Sequence, residues 1–137
     1  MSGQQNMKTH TIENNTYAIF QKEEKSGVWM LHFIWGKKDF RLYLDAKSGG
    51  GHALHGAETL HTAEGKDVFA TRLQYLNAFE WYDYKKVAGH GLSREEVCWM
   101  REKTRRYVEL PQNFLGVAME LACLEFGLSP KPRAKAG

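Results

Sequence analysis

DVFATRLQYLNAFEWYDYKKV, residues 67–87, is where the chain changes its rhythm. Val68, Phe69, Leu73, Leu76, Phe79 and Val87 fall near one stripe of a helical repeat, and Asp67 stands where a helix takes its N-terminal cap. The spacing predicts a helix, with Trp81 and Tyr84 set away from its main stripe. Further on, Ser93 and Glu96 form a capping box. Val97, Met100, Thr104, Tyr107 and Val108 then make a stripe opposite Arg94, Glu95, Arg101, Glu102 and Arg105, which predicts a second helix. Glu102–Arg106 and Arg105–Glu109 would be i,i+4 ion pairs on it. Pro111 is expected to open a third helix over residues 111–126, with Gly127 capping its end.

Upstream of Asp67 the pattern is that of strands. Segments 7–13 and 16–22 are separated by Asn14-Asn15, a pair that tolerates the backbone of a tight hairpin turn. Gly27 makes the next turn possible, and VWMLHFIW, residues 28–35, is the strongest strand pattern in the chain. Gly36 to Asp39 turns it into residues 40–45, where Phe40, Leu42 and Leu44 share a face. Residues 47–66, rich in Gly and His, read as a loop with a short helical turn near 56–63. The expected architecture is an α+β domain over residues 1–127: a four-stranded antiparallel meander followed by three helices packed on one sheet face. Residues 128–137 are expected to be a disordered basic tail.

The composition is that of a folded protein. In 137 residues, 42% are hydrophobic and 26% charged, enough to bury one core and too apolar for disorder. No apolar run approaches the roughly 18–20 residues of a membrane span. The N-terminal residues lack the basic and apolar blocks of a secretory signal, so a cytoplasmic location is expected. The net charge of +3 suggests nucleic acid, yet Lys131, Arg133 and Lys135 carry the whole surplus and the rest of the chain is balanced. Cys98 and Cys123 sit among apolar neighbours in the helical patterns and read as reduced core thiols.

Two elements carry more apolar residues than one face can hold. In 28–35, Trp29, Leu31, Phe33 and Trp35 alternate with Val28, Met30, His32 and Ile34. The third helix is apolar around most of its circumference, broken by Glu120 and Glu125. A strand apolar on both faces is expected to be covered on both, and three helices cover only one face of four strands. A homodimer is therefore expected, closed two-fold symmetry being the commonest assembly.

Several residues could carry chemistry. Trp29, Phe33 and Trp35, with Tyr75 and Tyr82 from the first helix region, are expected to line an aromatic pocket or interface. His32 is the one polar side chain inside the strongest strand, and Glu120 could reach it to form a buried acid–base pair. The ligand would be an apolar small molecule or a protein partner, with no cofactor, and the chain reads as a binding or accessory protein. A first alternative is a single-stranded nucleic-acid factor stacking bases on Phe33 and Trp35, with Trp29 beside them and Lys37, Lys38 and Arg41 following. A second is a metal-dependent enzyme, since His52, His55, Glu58 and His61 recur every three residues with zinc-type ligands. On a helix that spacing leaves His52 and His55 on one face but points His52 and His61 in opposite directions, so a folded loop would be needed to bring them together. Gly49-Gly50-Gly51 does not extend into a phosphate-binding motif, and no G-x-S-x-G nucleophile elbow is present.

Overall fold

A computed structural model describes residues 7–46, 53–54, 57–77, 80–83, 98–101, 106–111 and 113–131. Nine strands and one helix occur among them: β1 (Lys8–Ile12), β2 (Asn15–Lys25), β3 (Val28–Trp35), β4 (Lys38–Asp45), β5 (Leu60–His61), β6 (Asp67–Asn77), β7 (Glu80–Asp83), β8 (Cys98–Arg101), β9 (Arg106–Glu109) and α1 (Phe114–Phe126). The first four pair in sequence through two-residue turns. At Glu13-Asn14 and Ser26-Gly27 both turn residues have positive φ (51° and 69°, 54° and 78°), which matches the twist of the flanking strands. The first turn thus lies one residue before Asn14-Asn15, and Asn15 already pairs with Ile12.

The sheet does not stop at β4. Its order is β1-β2-β3-β4-β6-β5, all antiparallel, with β7 also paired to β6, and it curls into a half-barrel around α1. β8 and β9 form a separate hairpin. The four-strand meander with three helices is therefore corrected: residues 67–77, 80–83, 98–101 and 106–109 are strands, and α1 is the one helix among the described residues. The Ser93–Glu96 capping box lies outside the described residues.

The misreading has a physical origin. Tyr43 of β4 pairs with Arg72, and Leu44 with Ala70, so Thr71 is a bulge in β6. The bulge resets the alternation: Val68 and Ala70 point inward before it, Leu73 and Tyr75 after it. Phe69 and Leu76 are half-buried on the other face. Apolar residues at 68, 69, 73 and 76 imitate a helical stripe although they belong to two faces of a strand. In the β8–β9 hairpin, Met100 and Tyr107 are cross-strand partners, as are Trp99 and Val108. A separation of seven superposes residues on a helix and also joins them across a short hairpin. Aromatic and β-branched side chains favour the second solution.

The core lies between the concave face of the sheet and α1. Phe114 anchors it, its ring 4.7 Å from Phe40, 5.8 Å from Phe33, 6.4 Å from Tyr17 and 6.5 Å from Trp35. α1 begins at Phe114 rather than at Pro111, because Asn113 adopts a left-handed backbone before it. Gly127 ends the helix as expected, donating its N–H to the Cys123 carbonyl. Leu54 and Leu60, from the segment read as a loop, are buried in the same core, and β5 stands where a helical turn was expected. Beyond the helix, Leu128 is buried and Ser129 exchanges two backbone hydrogen bonds with His61, so part of the expected tail is held against β5. Residues 132–137 lie outside the described residues.

Candidate functional site

Alternation along β3 sorts the expected site residues onto opposite faces. Trp29, Phe33 and Trp35 face inward, and Trp29 and Phe33 are buried in the core. Tyr75 joins them, 5.4 Å from Phe40, while Tyr82 pairs in register with Tyr75 and its side chain lies outside the described residues. Trp29, Phe33, Trp35 and Tyr75 come together, but Phe114 and its neighbours on α1 fill the space between them. No surface for base stacking remains on Phe33.

His32 lies on the other face and does not meet Glu120, which is exposed on α1. The buried glutamate of the helix is Glu125. Its carboxylate, 1% exposed, accepts a hydrogen bond from His10 at 2.5 Å and lies 3.3 Å from the ammonium groups of both Lys8 and Lys22. Burial alone would push this carboxyl up; the hydrogen bonds from His10, Lys22 and Lys8 outweigh it and hold the group below the usual carboxylate range. The cluster ties the helix C-terminus to β1 and β2, the edge of the sheet.

Of the four candidate metal ligands, the described residues include Glu58 and His61. Glu58 is exposed, and His61 sits in β5 with Nδ1 3.1 Å from an Asp67 carboxylate oxygen. His52 and His55 lie outside the described residues, and no group of three metal-ligating side chains occurs among those described. Cys123 is half-buried on α1; burial, with Glu120 and Glu58 nearby, pushes its thiol up to about 11. A raised pKa favours the protonated thiol over the nucleophilic thiolate at neutral pH. The Cys98 side chain lies outside the described residues, and its helical setting is replaced by β8.

A different set of residues converges on the outer face. Hairpin register sets Gln21, His32, Arg41 and Gln74 side by side across β2, β3, β4 and β6. The His32 ring, 5% exposed, lies 4.7 Å from the ring of Phe20 and 5.8 Å from that of Trp81. Its Nε2 is 3.6 Å from an Asp39 oxygen, and neither ring nitrogen has a hydrogen-bond partner among the described residues. Burial lowers the His32 pKa; Asp39 opposes that and Arg41 adds to it, and the net effect keeps the ring neutral. Arg41 lays its guanidinium 4.5 Å from the Trp81 ring centre and donates to the Tyr43 hydroxyl at 3.4 Å. Its Nε is buried without an acceptor among the described residues.

A groove of about 390 Å³ runs beside these residues, lined by Gln21, Glu23, Lys25, Val28, Met30, Arg41 and Tyr43. Val28 and Met30 of β3 are its floor, with β2 and β4 side chains as walls. Of this face only His32 belonged to the expected site. The missed signal was register: a two-residue turn after Trp35 sets Arg41 beside His32, and the second row of β3 becomes a surface rather than a core. No family profile matches this chain, and neither a curated protein nor a solved structure is significantly similar to it. The geometry alone must carry the functional reading. No helix among the described residues is long and apolar enough to cross a membrane.

Proposed function

We propose that this chain is a small binding or accessory protein that acts as a homodimer and receives its ligand on the outer face of the sheet. The observation that carries this reading is the groove, where an apolar floor of Val28 and Met30 meets an Arg41 whose Nε–H has no acceptor among the described residues. Binding sites pair an apolar lining with a few orienting polar groups, and the volume lies in the small-molecule range of roughly 300–1,000 Å³. The ligand is an apolar small molecule with a polar end; a protein partner is the other occupant such a face could take.

Self-association fits the same face. Phe20 and Val28 are 53% and 44% exposed there, and two-fold pairing over the outer face would cover both and roof the groove. Native mass spectrometry of the untagged full chain tests the proposal. A dimer retaining added mass per subunit is expected, and Val28→Arg should remove the added mass. A monomer with no retained mass, and no ligand-dependent rise in melting temperature across a library of amphipathic small molecules, would overturn it.

A further inference from the structure

We infer that the ligand of the outer groove is a small organic monocarboxylate with a short apolar body, anchored by Arg41. This rests on the binding reading above and names the ligand's chemistry. Arg41 is a fixed cation: stacked against Trp81, it has one long hydrogen bond, to Tyr43, and an Nε–H with no acceptor among the described residues. No ion pair links it to a carboxylate among the described residues, although Asp39 stands two positions away on the same strand and face. Asp39 leans instead toward His32, at 3.6 Å. A guanidinium stays charged at all working pH values and presents its donors in a planar fork that matches a carboxylate in two-point contact.

The rest of the groove sets the size and charge of the anion. Val28 and Met30 give an apolar floor beside Arg41, and the ring of Tyr43 borders it. Lys25 adds positive charge at the far end of the β2 wall. Glu23 stands on the same wall, held by a 2.9 Å hydrogen bond from Gln21; it lies across Met30 from Tyr43 and so diagonal to Arg41, beyond the two strand spacings of roughly 10 Å that separate β2 from β4. That distance leaves room for one carboxylate at Arg41 and repels a second negative charge reaching across the floor. Phosphate esters and dicarboxylates are disfavoured on this account, and neutral apolar molecules leave the guanidinium unanswered.

Calorimetric titration of the full chain with phenylacetate and hexanoate, each beside its primary amide, tests the inference. The acids should bind saturably and the amides about tenfold or more weakly. Arg41→Met should remove the preference for the acid while leaving the circular dichroism spectrum unchanged. Arg41→Lys, which keeps the charge and the fold but not the fork, should weaken acid binding by about tenfold. Equal binding of acid and amide, both lost in Val28→Arg, would overturn the carboxylate inference and leave the binding reading standing. Binding of neither pair, or acid binding indifferent to Arg41 and Val28 alike, would overturn the inference, and with an empty native mass spectrum the binding reading too.

Discussion

The two faces of β3 carry similar sequences and meet different fates. Trp29, Leu31, Phe33 and Trp35 lie under a helix, where Phe114 touches four aromatic rings of the sheet. Met30 and His32, on the opposite face, are nearly as buried, and the rings described against His32 come from the same sheet. Phe20 lies over His32, Trp81 meets its edge, and Arg41 rests on Trp81. Among the described residues, the cover of His32 is made by amphipathic side chains of flanking strands folded over it. A helix layer fixes its rings through many mutual contacts; a side-chain cover can open one residue at a time. That difference makes the inner face a core, and it is what the proposed binding on the outer face would use.

The inner face should yield the largest effects. Phe114→Ala removes the ring at the centre of the aromatic cluster and is expected to destabilise by about 3–5 kcal/mol, measured by urea unfolding. A loss below about 1 kcal/mol would erase the distinction between the faces. Glu125→Gln comes next, at about 1–3 kcal/mol, because it replaces a buried carboxylate by an amide opposite three basic groups. Lys8 and Lys22 are exposed enough to be rehydrated, which keeps the loss in the lower part of that range. The sign of the acid limb follows. Glu125 titrates below its unfolded value of about 4.3, so the unfolded chain binds the proton more tightly and stability falls as pH drops through the folded value. Glu125→Gln should flatten the stability profile below about pH 4, and an unchanged acid limb would remove Glu125 from it.

How much was legible in the sequence follows the same division. The hairpins from β1 to β4 follow from alternation and turn chemistry, and β3 was bounded correctly at Val28 and Trp35. Gly127 was recognisable because its place after an apolar helix is a local property. The bulge at Thr71 was not, since it is defined by the partner strand and leaves only a shifted apolar spacing behind. A helix over residues 67–87 would not bring Trp81 to His32, as the strands do. The candidate site then fell to the inner aromatics, which do cluster, though as core. Trp29, Phe33 and Tyr75 have the composition of a pocket, and only the position of Phe114 shows that the space between them is filled.

A smaller effect separates packing from polar satisfaction on the inner face. Tyr17 is fully buried, its hydroxyl has no partner among the described residues, and burial, then Glu13, pushes its pKa up to about 12. Tyr17→Phe keeps the ring against Phe33 and Phe114 and removes the stranded hydroxyl, so a gain of about 1 kcal/mol in thermal unfolding is expected. A loss of similar size would reveal a hydrogen bond to the hydroxyl.

The smallest change in stability, about 1 kcal/mol or less, is expected for Phe20→Ala, because the side chain is already half exposed. Its consequence for His32 is larger and is the direct test of a cover made of side chains. Burial is the first cause of the lowered His32 pKa, and Phe20 is the nearest aromatic ring recorded over it. Because the folded value is lowered, the neutral ring contributes stability above the unfolded value of about 6.5, and that contribution is lost as pH falls from there through the folded value. Uncovering the ring should raise its pKa toward the unfolded value and shrink this limb, both visible when the imidazole is followed by NMR across the titration. If the ring titrates unchanged without Phe20, Trp81 and Arg41 are its effective cover, and the outer face is more rigid than the comparison with the core implies.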